Sequence, residues 1–218
     1  MSSFPNSPRL IKAGLVLIDP RSAQVRRVIA LQYNPDSLSR SLQVQGAGDG
    51  AERSEALRLK GPAVESIKLE AEIDAADQLE FPDRHRAAVE VGVAPQLAVL
   101  EALVNPAAAD LLAGKALAAA GTLEIAPMES ALPLLVWGAQ RIAPVRVTEF
   151  SITEEAFDPA LNPIRAKVSL GLRVLSVDDL GFDHKGGALF MAYLQSREKL
   201  AARAATVGFD ALGIGGIP

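Results

Sequence analysis

In a chain with no cysteine, chemistry falls to histidine, carboxylates, hydroxyls and glycine-rich phosphate loops, and these 218 residues hold zero Cys and two His. His85, between Arg84 and Arg86, and His184 are far apart in charged, turn-like stretches. A metal site needs about three or four ligands, so both read as solvated. Glu154-Glu155 and Asp178-Asp179 are adjacent carboxylates. Neighbours on a strand point to opposite faces and cannot converge on one scissile bond, so both pairs read as strand-end turns. Gly114-Lys115 resembles the end of a phosphate loop, but Ala116 replaces the hydroxyl residue and Ala109 the first glycine, which removes the cradle and the magnesium ligand. Gly213-Ile214-Gly215-Gly216 follows a helical pattern and opens no helix, unlike a dinucleotide fingerprint. Ser169 has Gly171 after it but Lys167 before it, and strand alternation already accounts for it. The sole tryptophan, Trp137, reads as core in an apolar strand, with an interface anchor as the alternative. No catalytic, cofactor-binding or metal-ligating residue is expected.

Composition narrows the partners. The formal charge is −4 with no block of like charge, so the concentrated basic footprint of a nucleic-acid binder is missing. Without cysteine there are no disulfides, thiolate nucleophiles or iron–sulfur clusters. The start Met1-Ser2-Ser3-Phe4-Pro5-Asn6 is not a secretory signal, and no run approaches about 18 apolar residues. A soluble cytoplasmic protein without membrane insertion is the expectation.

The elements that must carry any site are mostly strands. Ala13 to Ile18 and Val25 to Tyr33 are apolar runs stopped by Asp19-Pro20 and Asn34-Pro35, with a hairpin turn at Asp19–Ser22. Leu38, Arg40, Leu42 and Val44 share one strand face that an arginine interrupts. The clearest alternation sets Ile67, Leu69, Ala71 and Ile73 against Lys68, Glu70, Glu72 and Asp74, a half-buried strand. Leu97, Leu100, Leu103 and Val104 have helical spacing between Pro95 and Asn105-Pro106. The strand pattern resumes at Leu134 to Gly138, Arg141 to Glu154 and Lys167 to Val177. In the middle segment the apolar parity changes between Val147 and Phe150, which predicts a β-bulge near Thr148 or Glu149. Phe190, Tyr193, Leu194, Arg197 and Leu200 mark a helix over about 188–206.

Grouped strands without βαβ alternation predict a mainly β fold, an antiparallel barrel or sandwich with one or two flanking helices. The domain spans 12–206, after an extension over 1–11 and before a flexible glycine-rich tail over 207–218. A mobile loop is expected near 46–56, either an arm that orders on contact or a plain connection. The alanine-rich stretch at about 106–122 reads as an insert, with a second helix as the alternative.

Several segments carry a resemblance. Leu31-Gln32-Tyr33-Asn34-Pro35-Asp36-Ser37-Leu38-Ser39-Arg40 resembles an opening segment of the tube and baseplate proteins of phage-tail-like contractile injection systems. Gly61-Pro62 with the strand Glu65 to Asp74, and Val136-Trp137-Gly138 with Arg146-Val147-Thr148, are similar to later segments of that family. The strongest likeness is Ser151-Ile152-Thr153-Glu154-Glu155-Ala156-Phe157-Asp158-Pro159 followed by Leu161-Asn162-Pro163-Ile164-Arg165-Ala166. The resemblance covers about residues 12–200 in the family's order. It implies a tail-tube β-barrel in stacked six-fold rings, an adaptor or initiator layer between the spike or hub protein and the inner tube protein. Within the matched segments Asn34, Pro35, Arg40, Glu154, Glu155, Phe157 and Arg165 are the candidate inter-subunit or inter-layer contacts. Arg165, Lys167 and Arg173 line a lumen, pair with a neighbour's Glu154 or Glu155, or simply face solvent. The peptidoglycan-binding LysM domain that family members often carry has no counterpart in 208–218, so peptidoglycan binding is not expected. The competing readings are a soluble barrel that binds a small molecule and a carboxylate hydrolase; the first predicts a ligand-stabilised monomer.

Overall fold

The computed structural model describes residues 10–46, 58–119, 121 and 130–217. Residues 47–56 of the expected loop and most of the N-terminal extension lie outside the described residues, while Gly46 bridges to Leu59. Seven strands form one sheet: β1 (Gly14–Ile18), β2 (Val25–Ala30), β3 (Leu38–Gln43), β4 (Val64–Asp74), β5 (Leu132–Val136), β6 (Ile142–Phe157) and β7 (Pro163–Val174). Their order is β2-β1-β5-β6-β7-β4-β3, with every neighbouring pair antiparallel. The mainly β, antiparallel reading of the sequence holds.

The strand pattern follows the alternation that selects it. Ile67, Leu69, Ala71 and Ile73 of β4 are buried while Lys68, Glu70 and Glu72 are exposed. On β7 the buried set is Ala166, Val168, Leu170, Leu172 and Val174. The two strands pair from Ser66↔Arg173 to Asp74↔Arg165, so both apolar rows face one core. The β6–β7 register shifts between Val147 and Glu149, which puts the bulge at Thr148, where the parity change predicts it. Glycine stands across from the bulge because a Cβ on Gly171 would lie 2.8 Å from that of Glu149.

Helices are more numerous than the one or two expected. Six α-helices occur among the described residues: α1 (Ala76–Leu79), α2 (Arg86–Val91), α3 (Ala94–Glu101), α4 (Ala108–Ala119), α5 (Val177–Leu180) and α6 (Lys185–Ala201). Three of them have four to six residues, too short to display a helical period. The alanine-rich segment is helix α4 and not an irregular insert, as its alanine content favours, and none of its residues is buried. Asp178-Asp179 is not a strand-end turn: it forms the first turn of α5, where Ser176 and Asp179 make a reciprocal capping box. The tail carries a short 3₁₀ turn, Phe209–Leu212, exposed throughout.

The core has one large cluster and a small second one of Ile18, Leu132 and Leu134; the large one draws on sheet and helices. Leu15, Ile67, Leu135, Val145, Val168, Leu170 and Leu172 come from the sheet, Val93, Leu97 and Leu100 from α3 and the residue before it, and Phe190 and Tyr193 from α6. The segment after β2 and the end of β4 are drawn together without a ladder between them. The Gln32 side-chain amide donates to the Asp74 carbonyl (2.7 Å) and accepts from the Asp74 amide (3.0 Å), so a side chain after β2 takes the place of a strand beside the end of β4. The sheet therefore curls toward a barrel that stays open.

The link between α2 and α3 is clamped to the start of β7. The Val93 amide donates to the Pro163 carbonyl at 2.8 Å, and Gly92 sits at φ +59°, where an added Cβ would be 2.0 Å from the Pro163 oxygen. The obstacle is backbone and cannot rotate away. Gly92→Ala is expected to cost more than about 2 kcal/mol, from left-handed strain plus the clash. Urea unfolding checks this: an unchanged midpoint would show that the clamp is not rigid.

Candidate inter-subunit interface

Open strand edges are the prominent surface of this fold. β6 has 16 residues but pairs with β5 only through Ile142, Ala143 and Pro144. From Val147 to Phe157 its sole ladder partner among the described residues is β7. β2 and β3 end the strand order, so among the described residues each also presents one unpaired edge. These edges carry exposed apolar side chains, among them Val25 and Val28 on β2, Leu42 on β3 and Phe157 at the end of β6.

Glu154 and Glu155 lie inside β6 and not in a strand-end turn, because β6 continues to Phe157. They oppose Ala166 and Arg165. Glu155 pairs with Lys167 at 3.3 Å. Arg165 faces inward along the ladder to Asp74 (2.7 Å), with Glu72 at 3.8 Å. Burial pushes the Asp74 carboxyl up, but the Ala76 amide and the Arg165 guanidinium outweigh it and hold it below the usual carboxylate range. The Asp74 contact in turn strengthens the charge on Arg165. Arg173 pairs with Asp179 at 2.7 Å. The three cations Arg165, Lys167 and Arg173 thus each have a carboxylate partner in their own chain.

The tip of the β6–β7 hairpin is built by Asp158. Its Oδ1 accepts from the amides of Ala160 and Asn162, each at 2.8 Å, and its Oδ2 from the Asn162 side chain at 2.8 Å. The Asn162 side chain also donates to the Glu90 carbonyl at 3.0 Å, which ties the tip to α2. The bonds from Asn162, then the Ala160 amide, hold the Asp158 carboxyl low. Two non-glycine residues here have left-handed backbone, Ala156 (φ 53°) and Leu161 (φ 66°). Leu161 is 79% exposed and Phe157 48%, so a braced tip presents two large apolar side chains to solvent.

Asn34 plays a similar part at the other end of the chain. Its side chain accepts from the Ala13 amide and donates to the Ile11 carbonyl, both at 2.8 Å, and so sets the approach to β1. Pro35 follows in a shallow hollow with Tyr33, Glu70 and Glu72. Arg165 reaches the same Glu72 from the opposite side of β4, so Asn34, Pro35 and Arg165 fall in one neighbourhood. Glu155 lies beside Arg165, and Phe157 is at the hairpin end.

Arg40 is separate. Its Nε donates to Glu65 at 2.6 Å and its Nη2 to the Tyr193 hydroxyl at 3.3 Å. Arg197 donates to the other Glu65 oxygen at 3.0 Å, and the Tyr193 hydroxyl lies 3.1 Å from both. Glu65 is 3% exposed. It joins β3, β4 and α6 through one carboxylate, which raises the guanidinium pKa of Arg40. Burial, then the neighbouring Glu65 charge, pushes the Tyr193 phenol up. Sequence reasoning singled out Arg40 as a break in an apolar face but missed Glu65, Tyr193, Gln32 and Asp74. The polar residue in an apolar row was the signal for a buried partner; which partner depends on register.

Among the described residues no three His, Asp or Glu side chains gather to hold a metal ion, and no helix is long and apolar enough to cross a membrane. No protein-family model matches the chain, and no curated protein does. Among solved structures it is similar to a chain in the tail of an empty gene transfer agent particle with C6 symmetry, at 14% identity over 75% of this chain and 90% of that one, with a TM-score of 0.28. It is also similar to a chain in the virion of a native gene transfer agent particle, at 13% identity over 74% and 90%, with a TM-score of 0.26. Neither score amounts to a shared fold.

Two expectations test the geometry. Glu65→Ala removes the single acceptor shared by two arginines and should cost roughly 3 kcal/mol by urea unfolding, with Tyr193→Phe losing about 1 kcal/mol; equal, small effects would show that the cluster is solvated. The second concerns acid. A carboxyl held below its unfolded value of about 3.9 stabilises the fold above that pH, and loses the contribution as pH falls through the folded value. Asp158→Asn should therefore melt below wild type at pH 7, with the gap closing below about pH 4. A gap independent of pH would remove Asp158 ionisation as its cause.

Proposed function

We propose that this chain is a non-enzymatic structural component of a phage-tail-like contractile injection particle. In this reading copies associate in a six-fold ring of the baseplate or inner tube, which joins the spike complex to the tube and initiates its polymerisation. The observation that carries the reading is the long edge of β6 from Val147 to Phe157, unpaired among the described residues, beside the likewise open edges of β2 and β3. Single-chain proteins blunt, cover or close such edges. A ring subunit meets the same need by pairing edges with its neighbours. The segments that resemble tail-tube proteins support it: Asn34, Asp158 and Asn162 brace the ends of the open strands.

In its own host the tagged protein is expected to sediment with rod-shaped, sheathed tubes, with the tag near one end of each rod by electron microscopy. A protein wholly in the soluble fraction while intact rods are present would overturn the proposal. Sizing the isolated chain is a poorer test, because self-association is set by concentration and by a nucleating layer.

A further inference from the structure

Away from the open edges, α6 and the loop between β5 and β6 enclose a hollow of about 280 Å³ lined by Arg40, Trp137, Gln140, Arg141, Tyr193, Arg197 and Leu200. Three arginines meet there, and the one acid that touches them is Glu65, which binds Arg40 and Arg197. The guanidinium of Arg141 has no hydrogen bond or ion pair among the described residues, although the residue is half-buried. Counting three cations against one carboxylate leaves two uncompensated positive charges around a partly desolvated space.

The loop that presents Arg141 is firmly held. The Trp137 amide donates to the Arg141 carbonyl at 2.8 Å, and the Arg141 amide to that of Gly138, which has φ +74°. The Ser196 hydroxyl on α6 reaches the Gln140 carbonyl at 3.2 Å and its side-chain oxygen at 3.3 Å. On the facing side Arg197 lies over the Tyr193 ring at 5.5 Å, and the Glu65 bonds fix Arg40. The walls that remain, Trp137 and Leu200, are apolar.

We infer that this hollow binds a carboxylate carrying a short apolar body, with Arg141 as its principal ion-pair partner and Trp137 and Leu200 against the hydrocarbon. A planar guanidinium fork with unused donors matches a carboxylate in two parallel hydrogen bonds, and partly buried charge favours a counter-charge over solvent. Glu65 cannot serve, because both of its oxygens are already engaged by Arg40, Arg197 and Tyr193. The carboxylate has two sources, a free small acid or an acidic side chain of another polypeptide.

Trp137 is the only tryptophan and lines this hollow with one side against the core, so its emission is the chain's one indole signal at this site. Isovalerate titrated into the full chain should give a saturable change in emission, and the neutral isostere isovaleramide should need at least about tenfold more for the same change. Arg141→Gln should weaken isovalerate about tenfold with the melting temperature unchanged, since that side chain bonds nothing among the described residues. In a second arm acetyl-Leu-Glu-Leu-amide is compared with acetyl-Leu-Gln-Leu-amide. Tighter binding of the glutamyl peptide than of isovalerate assigns the hollow to an acidic side chain of a partner, and the reverse assigns it to a small acid. Equal responses to acid and amide, no response to any probe, or an Arg141→Gln variant that binds like wild type would overturn the inference.

Discussion

Backbone hydrogen bonding is the constraint on which the rest of this molecule depends. Every strand must place its amides and carbonyls, and a seven-stranded sheet that does not close leaves some without a ladder. The chain meets part of this need with side-chain amides. Gln32 stands beside Asp74 as a strand would, Asn34 brackets Ile11 and Ala13, and Asn162 caps Glu90. Each carries a donor and an acceptor on a short stem, which lets it bond a backbone as another backbone would. These locks stand at strand ends and leave the middle of β2, β3 and distal β6 open.

Charge is used in a different way. Cross-strand and diagonal neighbours neutralise one another, Asp74 with Arg165 and Glu155 with Lys167, and Lys68 of β4 reaches Glu149 of β6 over Gly171 of the intervening β7. The exposed pairs among them, Glu155–Lys167 and Lys68–Glu149, contribute little to stability, about 0–1 kcal/mol each, but they use up charge that a neighbouring chain would otherwise meet. The buried cluster at Glu65 is of another kind. Removing its one carboxylate strands two guanidinium groups at the seam where α6 meets the sheet, so it fixes the helix in place more than it adds net stability. Arg141, next to it, is outside this pattern of internal pairing.

Strand position was legible in the sequence where one face is buried, because period-2 alternation and burial have the same cause. Ile67, Leu69, Ala71 and Ile73 on β4 show it, as do Val168, Leu170, Leu172 and Val174 on β7. The bulge at Thr148 was legible for the same reason, since an extra residue inverts the alternation. α1, α2 and α5 were not, because four to six residues span too little of a helix to show a period; the capping pattern Ser176-Val177-Asp178-Asp179 was the one available sign. The candidate interface was legible only as segments. Arg40 marked a polar break in an apolar row, but its partners Glu65 and Tyr193 are 25 and 153 residues away, and only strand register and helix docking bring them together. Arg165 gave no hint of Asp74 for the same reason.

Pairing through strand edges is permissive, since any extended backbone offers the same donors and acceptors. Selectivity must come from what the edges carry. β2 bears Arg26 and Arg27, and distal β6 bears Glu149, Glu154 and Glu155. Two β2 edges brought together oppose like charges, and so do two β6 edges, which is destabilising across a strand pair. Only the unlike combination sets basic against acidic side chains, although internal partners hold Arg26, Glu149 and Glu155 in part. A contact between unlike edges is heterologous, and repeated it gives a ring where the rotation closes and a helical filament where it does not, whereas a two-fold contact stops at a dimer. The charge on these two edges therefore disfavours a two-fold contact through β2 alone or through β6 alone, and is compatible with the ring proposed above.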